Sequence, residues 1–281
     1  IEISTKKKTN EKMLFGSFSN GVVTNRDPWV YSYSRDQLIG TGRAMIEFFN
    51  SEISRYKKTI ESGVAITDVQ TFVEKDAKKI SWGGGNWQSR FAKQQTETLD
   101  IRLIRCSLYR PFTKQWHYGG RTFNHSFYSM LEIFPYSEDR NIVIQINSNY
   151  KNDGFYALAS NTMPDLHCNG DSQCFPLYLY EEPKEESGSP SLFDETNKSN
   201  LVRRDAITDE GYNHFKEAYP SEKVTKEDIV YYVYGLLHSE DYLTRFADNL
   251  SKELPRSPCV TKSEDFWTFS KAGRDLAHLH L

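Results

Sequence analysis

The spacing of apolar residues changes twice along the chain, and these changes restrict the fold more than any other feature. Between residues 35 and 62, apolar residues such as Leu38, Met45 and Phe49 recur at the spacing of a helix that buries one face. Between residues 99 and 180, the apolar segments are short and rich in Ile, Val, Tyr and Phe, as is typical of strands. Helical spacing returns after residue 201. We therefore predict an α+β protein with N-terminal helices, a central mixed β-sheet and a C-terminal helical bundle packed on it.

Start and stop signals place the individual elements. The first helix is predicted to end at Gly63, and a second is predicted from Thr67, whose hydroxyl would cap it, towards Lys79. Three glycines at residues 83–85 follow that second helix. The remaining predicted strands are 99–112, 141–147, 155–160 and 174–180, and the remaining predicted helices are 210–218, 226–237, 241–254 and 264–279.

An acidic stretch without apolar periodicity interrupts the chain at residues 181–200. Such a composition favours an exposed, flexible loop. The 281 residues suffice for one large or two small domains. We predict one domain over 1–281, made of helices and a β-rich part at 1–180, the flexible loop at 181–200 and a helical part at 201–281.

Positive charge is concentrated in one segment, although the whole chain has a net charge of −3. Residues 86–125 contain seven Arg or Lys and two acids, a local excess of about +5. Amide side chains lie among these cations, and Arg with guanine, or Asn and Gln with adenine, can form two hydrogen bonds to one base. The alternative is that these side chains only solvate exposed strand faces. We predict a DNA-binding surface that contains Asn25, Arg26, Asn86, Gln88, Arg90, Arg105, Arg110, Lys114, Gln115, Arg121 and Asn124.

Two loops in the N-terminal half have open interpretations. Asn25 and Arg26 precede Asp27-Pro28, where the proline favours extended backbone, so their side chains could be displayed as contacts. Alternatively, Asn25 caps a turn and Arg26 pairs with an acid. The glycines between Trp82 and Trp87 could let the backbone approach a sugar-phosphate chain, or they form a turn between packed tryptophans.

Three patterns imitate catalytic or metal sites, and we reject each of them. Asp27-Pro28-Trp29 lacks the second proline of the loop that positions a flipped base in amino-methyltransferases. Pro164-Asp165 with Glu182-Pro183-Lys184 fits a common nuclease pattern, but its Glu and Lys fall at the predicted flexible loop. His167, Cys168 and Cys174 lack the two close ligand pairs of a structural zinc site. We expect no catalytic residue, metal or cofactor in this chain.

The cellular setting follows from what the sequence contains. Four cysteines at irregular spacing predict a reduced, cytoplasmic protein. The sequence contains no run of about 18 apolar residues, so we predict no membrane span. We expect neither a signal peptide nor a membrane partner. Because the sequence does not begin with Met, we expect it to be part of a longer polypeptide.

Several strings, taken in order along nearly the whole chain, resemble type ISP restriction-modification enzymes. The longest are FGSFSNGVVTNRDPWVY at 15–31 and YRPFTKQW at 109–116. Shorter matching strings lie at 164–167, 173–178, 234–239, 246–250, 266–267 and 273–277. The resemblance is to the C-terminal target-recognition domain of such enzymes.

The resemblance implies a larger polypeptide with a nuclease, a superfamily 2 helicase, an adenine-N6 methyltransferase and this recognition domain. Double-stranded DNA and the neighbouring methyltransferase and helicase domains would be its partners. S-adenosyl-methionine, ATP and Mg would bind only in the other domains, because this chain has no Walker A loop and no cofactor-binding glycine loop. Two other functions stay open: a metal-dependent nuclease, and a scaffold whose aromatic surface docks the methyltransferase domain.

Overall fold

The chain folds into two compact units that are interleaved in sequence. The computed structural model describes residues 1–4, 13–84, 86–136, 140–147, 154–182 and 201–281. Unit 1 contains Ile1–Ser19, Ser129–Asn161 and Gln173–Leu281, and unit 2 contains Asn20–Tyr128 and Thr162–Ser172. Both units combine helices with strands, so the predicted α+β class is confirmed.

A long helix, Arg35–Glu61, is the longest element of unit 2. The Ser34 side chain caps it by accepting a hydrogen bond from the Gln37 backbone N–H at 3.3 Å. Gly63 follows the last turn with a φ of +85°, a left-handed conformation that glycine adopts without strain. The helix predicted from apolar spacing is confirmed, and its buried face includes Leu38, Met45, Ile46, Phe49, Ile53 and Tyr56.

A four-stranded mixed sheet packs against the long helix. Its order is Tyr31–Ser32, Thr113–Tyr118, Ile104–Arg110 and Met163–Pro164. Ile104–Arg110 and Thr113–Tyr118 form an antiparallel hairpin, called here the hairpin. Met163–Pro164 joins it in parallel, with Met163 opposite Ser107. This parallel pairing is what brings residues 162–172 into unit 2.

Short helices complete unit 2, and two of them differ from the prediction. The predicted helix from Thr67 to Lys79 is only Val69–Phe72, capped by Asp68. It stops because the Glu74 backbone N–H donates to the buried Glu52 carboxylate at 2.7 Å, which draws the chain into extended backbone at Val73. A helix that we did not predict, Asn86–Ala92, lies in the basic segment. The other short helices are Asp27–Val30, Ile101–Leu103, Arg121–Phe123 and Leu166–Asn169.

Unit 1 contains an antiparallel sheet and a separate two-stranded ribbon. Val143–Ile146 lies between Ala157–Ser160 and Gln173–Pro176, and the residues of all three strands are buried. Tyr178–Glu181 pairs with Val202–Asp205 in the ribbon. A two-residue strand, Ser19–Asn20, spans a boundary between the units.

These strands correct two predictions about the middle of the chain. The strands do not form one central sheet but belong to three sheets. The predicted strand 174–180 breaks at Leu177, where the backbone leaves the antiparallel sheet and enters the ribbon. Glu181, predicted to begin the flexible loop, is a strand residue opposite Val202 and lies 3.0 Å from Arg204. Residues 183–200 of that predicted loop lie outside the described residues.

The C-terminal helices pack on the antiparallel sheet of unit 1, and the predicted C-terminal helical part is confirmed. The Tyr234 hydroxyl accepts from the Ala159 backbone N–H at 2.8 Å, and His238 Nε2 lies 3.2 Å from the Ala157 carbonyl oxygen. The predicted single helix 241–254 is wrong, because the backbone leaves helical geometry at Phe246, whose ring packs on Tyr242. Among the described residues, the helices of unit 1 are Met130–Ile133, Asp209–Ala218, Lys226–Leu236, Glu240–Arg245, Ala247–Leu250 and Ser263–His280. In the described parts of the chain, no helix combines the length and apolarity needed to span a bilayer.

Two glycines allow the helices Lys226–Leu236 and Ser263–His280 to touch through their backbones. A Cβ on Gly273 would overlap the Tyr231 carbonyl, and one on Gly235 would overlap the Phe269 carbonyl. Because the obstructing atoms belong to helix backbone, neither contact can relax by turning a side chain. The close crossing therefore requires both glycines.

Changing Gly273 to Ala is expected to lower the free energy of unfolding by about 2 kcal/mol, since one extra carbon must separate two packed helices. Chemical denaturation of the purified chain measures this change. Gly40→Ala is the matched control, because a Cβ there meets nothing within 4 Å and alanine favours a helix by about 0.5–1 kcal/mol over glycine. A Gly273→Ala variant as stable as the wild type would contradict the close crossing.

Candidate functional site

A cleft in unit 2 lies between residues 23–29 and residues 75–82 and has a volume of about 700 Å³. Asn25, Pro28 and Lys75 line it as exposed residues, and Trp29 and Trp82 line it as half-buried rings. Asp27, Asp165 and His167 contribute polar atoms to the same lining. The cleft thus combines aromatic, cationic and carboxylate side chains.

One guanidinium joins two segments that are far apart in the sequence. Arg110, at the end of a hairpin strand, donates from Nη1 to Asp165 Oδ1 at 2.9 Å, and its Nη2 lies 3.7 Å from Asp27 Oδ2. The Tyr109 hydroxyl donates to Asp27 Oδ2 at 3.0 Å, and the Thr24 hydroxyl donates to the other Asp27 oxygen. The Arg110 guanidinium also lies 3.9 Å from the centre of the Tyr109 ring. We call this group the Asp27–Arg110–Asp165 cluster.

The Asp165 carboxylate of the cluster lies in surroundings that destabilise its negative charge. Burial raises the pKa of Asp165 to about 6, and the nearby charge of Asp27 adds to the rise. The His167 backbone N–H, 3.0 Å from Asp165 Oδ1, and the Arg110 guanidinium both act to lower this pKa. Burial also raises the pKa of Tyr109, so its hydroxyl stays protonated as a donor to Asp27. The positive charge of Arg110 therefore stabilises the ionised form of Asp165.

The chemistry of the cluster differs from that of a metal site. Its two carboxylates face a guanidinium, which occupies the place that a cation would need. Within the described ranges, no group of three or more His, Cys, Asp or Glu side chains could hold a metal ion. Of the rejected nuclease pattern, Glu182 belongs to unit 1, and Lys184 lies outside the described residues.

Arg26, predicted as a DNA contact, is buried at the base of the cleft with 3% of its surface exposed. Its Nε donates to the Ser81 carbonyl at 3.1 Å, its Nη1 to the Thr122 carbonyl at 3.4 Å and its Nη2 to the Gly83 carbonyl. Burial lowers its pKa to about 10, so it remains charged at neutral pH. The Arg26 side chain thus links three loops. Its hydrogen-bond partners are backbone carbonyls, and not an acid as in the alternative interpretation of the sequence.

The adjoining glycine loop is a turn between packed tryptophans. The rings of Trp82 and Trp87 lie 4.5 Å apart, and Trp87 Nε1 donates to the Trp82 carbonyl at 3.0 Å. A Cβ on Gly83 would overlap the Asn25 carbonyl, so the glycine is needed for contact within the protein. Asn25 itself is exposed, and its φ of +56° is a left-handed conformation that Asn tolerates better than most residues.

Two predicted base-reading amides hold the segment 117–125 in place. Asn124 is fully buried, and its Nδ2 donates to the Tyr118 and Gly120 carbonyls, each at 2.9 Å. Its Oδ1 lies 2.8 Å from His117 Nε2, which therefore carries the proton. Burial lowers the pKa of His117 to about 4, so the ring is neutral. Asn86 Nδ2 donates to the His125, Asn124 and Arg121 carbonyls.

The remaining predicted residues differ in exposure. Arg105 is buried opposite His117 in the hairpin. Arg90 is half-buried, with its Nε 2.9 Å from Glu97 Oε1, and Gln88 and Gln115 are also half-buried. Lys114 and Arg121 are exposed. Of the predicted set, the exposed members are thus Asn25, Lys114, Arg121 and Asn86, and the Asn86 amide is hydrogen-bonded within the fold.

Sequence reasoning missed the Asp27–Arg110–Asp165 cluster as a unit. It placed Arg110 among DNA contacts and considered each aspartate only within a rejected catalytic motif. A signal was nevertheless present, because all three residues lie in strings that carry the family resemblance, at 15–31, 109–116 and 164–167. The parallel pairing of Met163–Pro164 with the hairpin is what brings these strings together.

Comparison with known proteins identifies close structural relatives. A solved complex of DrdV with DNA matches with a TM-score of 0.79 and 29% sequence identity, covering 99% of this chain and 24% of that chain. LlaBIII, described as an ATP-dependent Type ISP restriction-modification enzyme bound to DNA, matches with a TM-score of 0.79 and 27% identity, covering 100% of this chain and 16% of that chain. A nuclease-deletion mutant of LlaGI, a Type ISP enzyme in complex with a DNA substrate mimic, gives 0.77 and 27%, with coverages of 100% and 19%.

The chain therefore spans a quarter or less of the length of these solved relatives. A search of curated proteins found no match. The family model of the Type ISP C-terminal specificity domain matches residues 13–281, which is almost the whole chain. On that match, and on the agreement of the fold along its full length, the chain belongs to the Type ISP C-terminal specificity domain family.

Proposed function

We propose that this chain recognises a specific sequence in double-stranded DNA on behalf of a larger restriction-modification polypeptide. The observation that carries the proposal is the family match over residues 13–281, joined to full-length structural similarity with enzymes solved on DNA. In that role the domain would hold the duplex while a neighbouring methyltransferase domain modifies the target adenine. Recognition by this domain would then control both methylation and cutting.

Unit 2 is the part of the chain that we propose to face the DNA. It contains the basic segment 86–125, where exposed cations that include Lys114 and Arg121 can approach phosphates. The buried Arg26, Arg105 and Asn124 support this surface from within, since their hydrogen bonds or burial fix the loops around it. We therefore propose that some residues predicted as DNA contacts support the surface from within, while the exposed ones contact the DNA.

The proposal assigns no catalytic residue to this domain. Chemistry would belong to the other parts of the polypeptide, which would bind S-adenosyl-methionine, ATP and Mg. The Asp27–Arg110–Asp165 cluster is better explained as a brace between the hairpin and the cleft, since each of its hydrogen bonds joins side chains or backbone of unit 2.

A salt titration of duplex binding by the longer polypeptide, with and without magnesium, tests the proposal. We expect affinity to fall steeply with salt, to be higher for one sequence than for others, and to need no magnesium. A variant from which residues 13–281 are deleted should lose the sequence preference. Equal affinity for all sequences in the intact polypeptide would contradict recognition, and metal-dependent cutting by this chain alone would favour the nuclease alternative.

Reversing the charge of both Lys114 and Arg121 to Glu is expected to weaken binding to all duplexes alike. If each cation contacts one phosphate, the slope of log affinity against log salt should fall by about 2. Arg105 is unsuitable for this test, because a buried Glu there would damage the fold.

Lys223→Glu with Lys252→Glu makes the same change in charge and serves as the control. Both lysines are exposed and lie within residues 203–253, where eleven acids outnumber seven bases. We expect this pair to leave the salt slope unchanged. Equal losses in the two double variants would mean that net charge, and not a local surface, governs binding.

A further inference from the structure

The cleft between residues 23–29 and 75–82 contains polar groups that the fold does not use. The Asn25 amide, the Trp29 indole N–H and the Lys75 ammonium belong to residues that line it. Within the described part of the chain, none of these three groups has a hydrogen-bond or ion-pair partner. The volume of about 700 Å³ lies in the range of pockets that bind small ligands. A ligand in this cleft could therefore bind these groups without breaking contacts within the protein.

The two walls of the cleft are held in place by contacts beneath them. Arg26, from the first wall, donates to the Ser81 carbonyl of the second wall at 3.1 Å. Trp82 Nε1 donates to the Glu74 carbonyl at 2.9 Å, and the Trp82 ring lies 4.5 Å from the ring of Trp87. The cleft is thus formed before a ligand binds, and binding requires little ordering of the protein.

The groups in the cleft match the parts of one nucleotide. Trp29 and Trp82 line it as half-buried rings, on which a flat base can stack. The amide of an asparagine, here Asn25, can form two hydrogen bonds with a base that has an exocyclic amino group near a ring nitrogen, as adenine has. The exposed ammonium of Lys75 can bind the phosphate of the same nucleotide. An apolar side chain from another protein would leave the amide and the ammonium without partners.

Asp27 adds a preference for one kind of base. Its side chain lines the cleft and is 31% exposed, and its oxygens accept from the Tyr109 and Thr24 hydroxyls. The single guanidinium of Arg110 faces this carboxylate and that of Asp165, so it balances only one negative charge. A negative charge attracts an amino group and repels a carbonyl oxygen. The cleft therefore favours a base with an exocyclic amino group over thymine, which has two carbonyl oxygens.

We propose that the cleft binds one extrahelical nucleotide of the recognised duplex, whose base carries an exocyclic amino group. This inference rests on the proposed DNA recognition and adds to it a site for one particular base. The base stacks on the indole rings, Asn25 binds its edge, and Lys75 contacts its phosphate. Turning a base out of the helix costs its pairing and stacking energy, so only a base that makes all of these contacts is held there.

The test uses the longer polypeptide and its tightest-binding duplex, selected from a randomised pool. In a series of duplexes, each base in turn loses its pairing partner, which is replaced by an abasic position. An unpaired base leaves the helix more easily, so the wild type should bind about tenfold more tightly when the base held in the cleft is unpaired. Replacing that unpaired base by thymine should remove the gain.

Two variants of the cleft should lose this gain at one position of the duplex. Asn25→Gly removes the amide and keeps the backbone, because glycine adopts the φ of +56° at this residue without strain. Lys75→Ala removes the phosphate contact, and it should also lower the slope of log affinity against log salt by about 1. Any gain that persists in both variants belongs to a base held elsewhere in the polypeptide.

Each variant has a matched control. Gln94→Gly controls for Asn25→Gly, since Gln94 is also an exposed amide residue with a left-handed φ, +52°, and does not line the cleft. Lys78→Ala controls for Lys75→Ala, because Lys78 is exposed and its ammonium likewise has no ion-pair partner among the described residues. Both controls should keep the wild-type profile of affinity along the duplex.

Several outcomes would overturn the proposal. A wild-type profile without any position of tighter binding would do so, as would an unchanged profile in folded Asn25→Gly and Lys75→Ala variants. An equal loss at every position would mean that the cleft contacts DNA without an extrahelical base. Free deoxyadenosine monophosphate should not displace the duplex, and displacement from the wild type but not from Asn25→Gly would identify a free nucleotide as the ligand. Failure of the wild type to prefer any duplex would instead overturn the proposed function, so the two failures are distinguishable.

Discussion

Changing Asp165 to Asn is expected to raise the free energy of unfolding at pH 8 by about 2–3 kcal/mol and to leave it nearly unchanged at pH 4. The pKa of Asp165 is about 6 in the fold, against an ordinary value of 3.8. The folded protein therefore binds the proton more tightly than the unfolded chain does. The stability contributed by the protonated form is complete below about pH 4 and is lost as pH rises through 6.

The substitution should work because Asn keeps much of the geometry. Its amide oxygen can still accept from the His167 backbone N–H and from Arg110, and Arg110 remains close to Asp27. Urea denaturation at several pH values measures the difference between variant and wild type. Asp275→Asn is the control, because this exposed carboxylate pairs only with Lys271 at the surface and should change stability by less than about 1 kcal/mol at any pH. Parallel plots of unfolding free energy against pH for Asp165→Asn and wild type would show that folding does not raise the pKa of Asp165.

Replacing Arg26 with Ala is expected to destabilise the fold by about 3–4 kcal/mol at neutral pH. Three carbonyls, those of Ser81, Gly83 and Thr122, would lose their donor in a buried site, and each unsatisfied group costs about 1 kcal/mol or more. Arg26→Lys should recover only part of this loss, since one ammonium cannot reach three carbonyls in different directions. Equilibrium denaturation gives both values.

DNA binding distinguishes this supporting role from direct contact. At temperatures where Arg26→Ala remains folded, affinity should fall by the same factor for cognate and altered sequences. A loss confined to one base position would instead identify Arg26 as a base-reading residue. Arg121→Ala, which removes an exposed guanidinium, should leave stability within about 0.5 kcal/mol of the wild type.

The helices were predictable where one face alone is buried. In Arg35–Glu61 and Ser263–His280 the buried residues recur every three or four positions, and this pattern is written directly in the sequence. Thr113–Tyr118 was missed as a separate strand because Thr-Lys-Gln-Trp-His-Tyr shows no apolar alternation. Its burial at His117 depends on a hydrogen bond with Asn124, a partner supplied by the fold.

The location of the DNA-binding surface stays a prediction, and composition alone could not assign the roles of its residues. Composition pointed to residues 86–125, and that segment does supply the hairpin and its exposed cations. It could not show that Arg105 and Asn124 are buried, since Arg and Asn occur far more often at protein surfaces. Nor could it pair Asp27 with Asp165, because contacts between distant strands leave no periodic signal in a single sequence.

The interleaving of the two units also limits how specificity can be exchanged between relatives. Unit 2 is assembled from residues 20–128 and 162–172, with a segment of unit 1 between them in the chain. A chimaera that transplants only the longer piece would combine its hairpin with a foreign version of the strand at Met163–Pro164 and a foreign Asp165. A single recombination event inside this region would therefore tend to produce a poorly braced hairpin, whereas exchange of the whole domain preserves both pieces. New recognition sequences in this family should thus spread as intact cassettes, or arise by point changes on the surface of unit 2 that we propose to face the DNA.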